Sequence, residues 1–359
     1  MSNLKLIFAP QFKRNPYQFQ LAENLKSQGL TVEGVNYLDY SVFNLIQDKK
    51  ADILHLHWLP IFFIRDEIWE SSLALLNLYL KIALLKISGV KVVWTVHNLK
   101  DHENPYPQLD RLCNFLASKA ADAIIVHCEI AKAKVVESFG ISNHRQKVFV
   151  IPHGNYIGCY ENAISRLEAR KLLKIDASRV VLLFLGKIRP YKGVLELIEA
   201  FKKMNIQSGQ LVIAGQPFSD EMKTSLEEKI SDSSNIDFKP TFIPEEKIQV
   251  YMNASDVVVF PYRDILTSGA VVLAMSFAKA CIAPRIGCID ELLDDTGSFL
   301  YDSESKGGLA EAIESAITQK EELLQMGKHN LQLAQELGWP EIAKKTLEVY
   351  KWCLDVERC

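Results

Sequence analysis

The chain has 359 residues, of which 48% are hydrophobic and 24% are charged, and its formal net charge is −3. This length predicts two domains, and the hydrophobic fraction is sufficient for two globular cores. The 41 basic and 44 acidic residues lack the basic excess that is typical of nucleic-acid binders, so we expect no nucleic-acid partner.

The seven cysteines are odd in number and widely spaced, and no CxxC pair occurs among them. This pattern argues against a zinc site and against a disulfide framework. The first ten residues, MSNLKLIFAP, lack the length and the cleavage site of a signal peptide. We therefore expect a cytoplasmic protein.

Short apolar runs alternate with helical patterns in the first half of the chain. Residues 4–10 predict a strand, and residues 16–29 predict the helix that follows and ends at a glycine. Runs rich in Val and Ile predict further strands at 51–59, 90–98, 122–128 and 147–154. Strands that alternate with helices imply a parallel sheet covered on both faces.

The segment SSLALLNLYLKIALLKISG (71–89) is strongly apolar, but Lys81 and Lys86 interrupt it. It therefore contains no uncharged run of about 18 residues that would span a membrane. Two interpretations stay open. The segment is a buried helix of an α/β domain, or it lies at a membrane surface with its lysines toward the lipid headgroups.

The alternating pattern restarts in the second half of the chain. It predicts strands at 179–186, 209–215, 235–240, 256–262 and 280–284, with helices at 193–204, 219–231, 245–254 and 269–279. We predict an α/β protein with two Rossmann-like domains, residues 1–165 and 166–336, that face each other across a cleft. Ligands of such sheets bind beyond the carboxyl ends of the strands.

Three cations follow the predicted strand at 179–186. Lys187 and Arg189 lie directly after the strand, Lys192 precedes the next helix, and Gly186 and Gly193 allow tight turns around them. Positive charge at the end of a strand favours a multiply charged anion such as a diphosphate. A solvated basic turn is the alternative interpretation.

A second candidate for anion binding is the start of the helix at 269–279. Thr267, Ser268 and Gly269 directly precede its apolar residues. Free backbone N–H groups and the positive end of the helix dipole make such a start a seat for phosphate. Plain N-capping explains the two hydroxyl residues alone, but the cationic loop in the same domain favours an anion site.

Polar strand-end loops in the first half carry the candidate catalytic groups. The loop VHNLKDHE (96–103) holds His97, Asp101, His102 and Glu103. Imidazole titrates near neutrality and serves as a base or a hydrogen-bond donor, and a nearby carboxylate either orients it or is itself the base. His55 and His57 share one strand face, but the sequence offers no third ligand, so we predict no metal site.

The order of the motifs resembles the GT-B glycosyltransferases of family 4. FLGKIRPYKGVLELIEAF resembles the diphosphate loop and helix of that family, and LVIAG, DVVVFPY, VVLAMSFAKACIAP and GCIDELLDDTGSFLY follow in the expected order. Residues 337–354 resemble the terminal helix of the family, so we expect residues 337–359 to pack back on the N-terminal domain. The loop RNPY also resembles that of β-mannosyltransferases in lipid-linked oligosaccharide assembly.

The resemblance implies a hexosyltransferase that moves a sugar from a nucleotide diphosphate sugar to a hydroxyl acceptor, saccharide or lipid-linked, in polysaccharide or glycolipid synthesis. It implies no cofactor besides the donor and no metal. Donor-binding residues are expected in the C-terminal domain and catalytic and acceptor-binding residues in the N-terminal domain. The expected sets are Gly186, Lys187, Arg189, Lys192, Thr267, Ser268, Gly269, Asp264, Glu291 and His153 for the donor, His97, Asp101 and Glu103 for catalysis, and Arg14, Asn15, Tyr17 and His57 for the acceptor.

The sequence departs from the family at one motif. The two glutamates of the family's Glu-x7-Glu pattern fall on Ile265 and Leu273, and Asp264 is the nearest acidic residue. This favours an inverting enzyme over the usual retaining outcome. Two alternatives remain open, an epimerase of the same fold and a catalytically silent nucleotide- or carbohydrate-binding protein. We also expect peripheral contact with the inner face of the membrane.

Overall fold

The computed structural model describes residues 4–12, 14–36, 51–101, 103, 105–142, 147–204 and 208–355. The chain divides into two compact units, unit 1 (Met1–Gly154 with Gly338–Cys359) and unit 2 (Asn155–Leu337). The sequence places this division later, at residues 165–166. Asn155 belongs to unit 2 because its backbone N–H donates to the Leu337 carbonyl and its side chain donates to the Ala334 carbonyl, at 2.9 and 2.8 Å.

Unit 1 is built on a parallel sheet. Its strands are β1 (Lys5–Ala9), β2 (Thr31–Gly34), β3 (Ile53–Leu56), β4 (Lys91–Thr95), β5 (Ala123–Val126) and β6 (Val148–Val150). They lie in the order β2-β1-β3-β4-β5-β6, and every pair is parallel. The carboxyl ends of all six strands therefore meet at one edge of the sheet.

Helices connect these strands, as a parallel sheet requires. They are α1 (Pro16–Ser27), α2 (Pro60–Phe63), α3 (Ile68–Ile87), α4 (Pro107–Ala120) and α5 (Glu129–Ser138). Helix α1 begins where the sequence predicts it, because the Asn15 side chain accepts a hydrogen bond from the Gln18 N–H and Pro16 occupies the first helical position. Gly29, with a φ of +89°, follows its end.

Unit 2 contains a second parallel sheet. Its strands are β7 (Val180–Leu185), β8 (Gly209–Ala214), β9 (Ile236–Lys239), β10 (Val257–Val259), β11 (Ala280–Pro284) and β12 (Ser298–Tyr301), in the order β12-β11-β10-β7-β8-β9. The chain runs outward from β7 in one direction and returns beside it with β10. This is the Rossmann order, and its switch point lies between β7 and β10. The two predicted parallel α/β sheets are thus confirmed.

The helices of unit 2 are α6 (Arg166–Leu173), α7 (Val194–Lys203), α8 (Asp220–Ile230), α9 (Glu245–Ala254), α10 (Gly269–Ser276), α11 (Ile289–Leu292), α12 (Gly308–Thr318) and α13 (Leu323–Glu336). A capping box starts α6, in which Ser165 and Glu168 each accept from the other's backbone N–H. Arg170 on this helix is buried, and its guanidinium donates to Asp256 Oδ2 at 2.6 Å. Asp256 also accepts from the Val181 N–H at 2.7 Å, which joins α6 to β7.

The last helix, α14 (Trp339–Asp355), belongs to unit 1 and packs against α1. The Tyr350 hydroxyl on α14 lies 2.7 Å from His55 Nδ1. Gly154 precedes this packing, and a Cβ added there would lie 2.5 Å from the Trp339 indole. Because Gly154 has no side chain, the Trp339 indole can approach the backbone there.

Candidate active site

The two predicted anion-binding elements line one cavity in unit 2, with a volume of about 310 Å³. Gly186 and Lys187 enter it from the loop after β7, and Gly269 enters it from the first turn of α10. Gly215 and Gln216, after β8, also line it. Elements that are far apart in sequence meet here because the parallel strands end at the same edge of the sheet.

Glycines let the loops after β7 and β8 approach each other through their backbones. Gly186 has a φ of +134° and Gly215 a φ of +156°, a region that other residues rarely adopt. A Cβ on Gly215 would lie 1.8 Å from the Gly186 carbonyl oxygen. Any side chain at this position would push the cationic loop away from its place.

Lys192 lies over the switch point between β7 and β10. Its Nζ is 3.6 Å from the place where a Cβ on Gly186 would stand, and 5.9 Å from the centre of the Tyr262 ring. Tyr262 follows β10, and its hydroxyl is hydrogen-bonded to Ser268. Ser268 caps α10, since its Oγ accepts from the Val271 N–H at 3.3 Å. One ammonium group therefore lies near the start of a helix.

Four other predicted donor residues lie differently. Arg189 lines a separate cavity, where its guanidinium stacks over the Phe218 ring at 5.2 Å and donates to the Ile188 carbonyl at 3.1 Å. The structure therefore places the planar cation of Arg189 on an aromatic ring, and Arg189 does not line the cavity that Lys187 enters. Asp264 and Glu291 are exposed, and Thr267 is half-buried directly before the cap.

Four adjacent strands of unit 1 each deliver a histidine to the carboxyl edge of the sheet. This histidine row consists of His57, His97, His127 and His153, which follow β3, β4, β5 and β6. His57 Nδ1 lies 3.2 Å from His97 Nε2, and His97 Nδ1 lies 3.4 Å from His127 Nε2. His153, expected at the donor, contacts His127 at 5.5 Å between ring centres.

Burial lowers the pKa of every ring in the row. The pKa of His127 falls to about 4 and that of His153 to about 3, while the pKa values of His57 and His97 fall well below 6.5. Neighbouring imidazoles lower the pKa of His97 further. The near-neutral pKa that suggests His97 as a base therefore does not apply in the folded protein, and both of its ring nitrogens face other imidazoles.

Two of the predicted acceptor residues have structural contacts. Asn15 caps α1, and Tyr17 is buried against the histidine row, with its ring centre 5.1 Å from that of His97 and 4.8 Å from that of His153. Arg14 is exposed in the loop before them. The sequence prediction missed His127 and Trp339. The position of His127 directly after a strand was the available signal.

A cavity of about 140 Å³ lies beside the row in unit 1. His57, His97 and Asp101 line it, and the Trp58 ring stacks on His97 with 4.3 Å between ring centres. The backbone N–H of Asp101 donates to Asp110 Oδ2 at 3.0 Å, and this bond positions Asp101.

Of the three predicted catalytic residues, His97 and Asp101 line the cavity of unit 1, and Glu103 does not. Glu103 is exposed, and its backbone N–H donates to Asp101 Oδ1 at 3.0 Å. His102 lies outside the described residues. Within the part of the chain that the structure describes, no three His, Cys, Asp or Glu side chains are arranged to hold a metal ion.

Several known proteins resemble this chain in sequence. Residues 165–332 match the family model described as group 1 glycosyl transferases. The chain is 27% identical over 304 residues to a GDP-mannose:glycolipid 4-β-D-mannosyltransferase from Xanthomonas campestris, which covers 84% of this chain and 79% of that protein. It is 24% identical to a D-inositol 3-phosphate glycosyltransferase from Pseudarthrobacter chlorophenolicus, over 85% of this chain and 72% of that protein.

Solved structures share the fold over nearly the whole chain. A sucrose-phosphate synthase from Thermosynechococcus elongatus superposes with a TM-score of 0.74 and 17% identity, covering 98% of this chain and 99% of its own. Anabaena HepE in complex with UDP gives a TM-score of 0.74 and 16% identity, over 96% and 98% of the two chains. The chain has the GT-B fold of these structures.

In this protein the two positions of the missing Glu-x7-Glu pair are both apolar. Ile265 is buried in the core of unit 2, and Leu273 lines the cavity of that unit beside Gly269. An acidic side chain at Ile265 would lose its hydration in this core. The apolar residue at position 265 therefore fits the core around it.

Proposed function

We propose that the cavity of unit 2 binds the nucleotide diphosphate sugar, with the diphosphate held by Lys187, Lys192 and the start of α10. The observation that carries this proposal is that two elements with anion-binding chemistry, distant in sequence, line one cavity. Lys187 is exposed at its mouth, and the Lys192 ammonium lies beside Gly186. Both cations can reach a diphosphate without displacing a core side chain.

The proposed reaction needs no metal. As the bond between the anomeric carbon and the diphosphate oxygen breaks, negative charge grows on the diphosphate. The two ammonium groups and the N–H groups at the first turn of α10 would stabilise that charge electrostatically. The two lysines would supply the charge that a divalent metal supplies in other sites.

We further propose that the acceptor hydroxyl enters the cavity of unit 1 and that Asp101 is the general base. His97 holds no proton-accepting nitrogen that is free of other imidazoles. Asp101 lines the cavity, and its Oδ1 accepts from the Glu103 N–H. The carboxylate takes the hydroxyl proton, the oxygen attacks the anomeric carbon, and the diphosphate leaves with the bonding electrons.

This mechanism inverts the anomeric centre, since attack comes from the side opposite the leaving group. The Xanthomonas relative supports it, because its name describes a β-mannosyl transfer from GDP-mannose to a glycolipid. The same name supports a lipid-linked acceptor. We therefore place the enzyme in the cytoplasm, in peripheral contact with the inner face of the membrane.

The test is a donor screen with GDP-mannose and UDP-glucose, with and without a glycolipid extract and EDTA. We expect repeated release of nucleoside diphosphate that requires the acceptor and continues in EDTA, and NMR of the product should show a β linkage from an α-linked donor. An α product contradicts inversion, and loss of turnover in EDTA contradicts metal independence. Accumulation of free sugar without an acceptor favours the epimerase, and binding without turnover favours the silent protein.

A further inference from the structure

A continuous apolar face covers the outer side of helix α3. From Trp69 to Ile87, large exposed apolar side chains follow each other at spacings of three or four residues, which places them along one side of a helix about 30 Å long. This apolar face consists of Ile68, Trp69, Leu73, Leu76, Leu80, Leu84 and Ile87, which are 44% to 83% exposed. The remaining exposed positions of α3 are Ser72, Asn77 and Ala83, so no exposed position on the helix is charged.

The opposite side of α3 is fixed in the core of unit 1. Ser71, Leu75, Leu78, Ile82 and Leu85 are its buried residues. The Tyr79 hydroxyl donates to the Cys113 carbonyl at 2.6 Å, and Lys86 forms an ion pair with Asp122 at 2.7 Å. Among the described residues, α3 is the one helix that is long and apolar enough to cross a membrane. It cannot cross a membrane without leaving the sheet. One apolar side of α3 packs in the core of unit 1, and the other is exposed.

The neighbouring helix α4 extends the apolar face and adds positive charge. Leu112 and Phe115 on α4 are 46% and 45% exposed. The charged side chains of α3 and α4 that are not buried are Glu70, Lys81, Lys86, Arg111 and Lys119, and Lys86 is paired with Asp122. Lys81, Arg111 and Lys119 therefore outnumber the one acidic residue, Glu70. Cations around an exposed apolar surface complement anionic phospholipid headgroups, and Trp69 near one end is typical of a membrane interface.

We propose that the apolar face of α3, with Leu112 and Phe115, docks on an anionic phospholipid bilayer. The helix lies in the plane of the interface, with its apolar face among the acyl chains and Lys81 at the headgroup level. A monomeric soluble protein rarely exposes an apolar surface of this length without a partner for it. The absence of charge from the whole face favours a lipid phase over a protein surface, whose rim is polar.

The docking also explains how an acceptor reaches the enzyme, a point that rests on the proposed function. Helix α4 carries Leu112 and Phe115 on its outer side, while Asp110 and Asn114 of the same helix line the cavity of unit 1. The proposed acceptor cavity therefore lies one helix away from the docking surface. A saccharide anchored by a lipid in the bilayer would be presented to that cavity without leaving the membrane.

Vesicle flotation of the full chain tests the docking. We expect the wild type to float with phosphatidylglycerol–phosphatidylcholine vesicles and much less with phosphatidylcholine alone. The variant Leu73→Glu/Leu80→Glu places two charges in the face and should lower the bound fraction at least about tenfold. Leu172→Glu is the matched control, since Leu172 is 63% exposed on α6 in unit 2, and it should float like the wild type.

Trp69 supplies an independent readout. Its fluorescence should shift to the blue with phosphatidylglycerol vesicles, and Trp69→Phe should remove that shift. A wild type that stays in solution contradicts the docking, as does an equal loss of flotation by Leu172→Glu. A wild-type dimer that the double variant dissociates in the absence of vesicles assigns the face to a second copy instead. GDP and UDP binding, measured on each variant without vesicles, tests the donor site separately.

Discussion

His127 donates its Nδ1 hydrogen to the carbonyl oxygen of Ile151 at 2.9 Å, and this bond fixes the protonation of two further rings. A carbonyl only accepts, so Nδ1 carries the proton, and the neutral ring leaves Nε2 as an acceptor. His97 must then donate from Nδ1 to His127, and His57 must donate from Nδ1 to His97. The three imidazoles thus form a chain of donors that runs toward β6.

The first imidazole of this hydrogen-bonded chain, His57, has an acceptor nitrogen without a hydrogen bond. With its proton on Nδ1, His57 offers only an acceptor at Nε2, and this buried atom has no partner among the described residues. A buried acceptor without a partner costs free energy. The row therefore tolerates an unsatisfied group beside the proposed acceptor cavity.

The first prediction concerns pH. Because the folded-state pKa values of His55, His57, His97 and His127 lie below the unfolded value of about 6.5, the unfolded chain binds more protons than the folded one. Their contribution is present above pH 6.5 and is lost as the pH falls, for His127 down to about 4. Each histidine should lower the free energy of unfolding by up to about 1.4 kcal/mol per pH unit.

Urea unfolding between pH 7.5 and 5.0 measures this slope. His127→Gln keeps an N–H donor and removes one titrating group, so its slope should be shallower by about one proton. A free energy of unfolding that stays constant over this range would contradict the buried, neutral row.

The second prediction separates the cations of the loop after β7. Lys187→Ala/Lys192→Ala should weaken GDP or UDP binding, because each charged hydrogen bond contributes about 1.5–3 kcal/mol. The dissociation constant should rise at least roughly tenfold by titration calorimetry. Arg189→Ala is the matched control and should bind like the wild type, since Arg189 stacks on Phe218. An equal loss of GDP or UDP affinity in both variants would mean that all three cations contact the anion.

The third prediction separates the candidate bases. Asp101→Asn should lower the rate of sugar transfer by about 10²–10⁴-fold, because the amide cannot accept the hydroxyl proton. Glu103→Gln should have little effect, since Glu103 is exposed. Binding of GDP or UDP should be unchanged in both variants. If His97→Gln abolishes turnover while Asp101→Asn does not, the base lies in the histidine row.

The fourth prediction concerns the stability of unit 2. Asp256→Asn leaves the buried Arg170 guanidinium without its carboxylate, and breaking such a pair costs about 3–5 kcal/mol. Asp295→Asn removes an exposed partner of Arg285 and should barely change the unfolding midpoint. Similar midpoints for the two variants would mean that the carbonyl oxygens around Arg170 suffice for its charge.

Much of the fold follows from local sequence patterns. Strands such as β7 and β10 are covered on both faces, so every residue in them is apolar and the run is visible in the sequence. Asn15, Pro16 and Gly29 mark the two ends of α1 because caps and breakers act over a few residues. The residues of the cationic loop and those at the start of α10 are close together in sequence, so the anion-binding chemistry of each element can be predicted from the sequence. That the two elements line one cavity cannot be predicted in this way.

Contacts between distant segments were decided only by the tertiary structure. The sequence alone predicts that Lys187, Arg189 and Lys192 follow a strand, but the Phe218 ring, brought in after β8, determines that Arg189 stacks elsewhere. The intrinsic pKa of His97 is likewise a property of the residue, and it is lowered by burial and by His57 and His127 from other strands. The pKa of a group depends on desolvation and on the charges near it in space. In a parallel sheet these neighbours come from segments that are far apart in the chain.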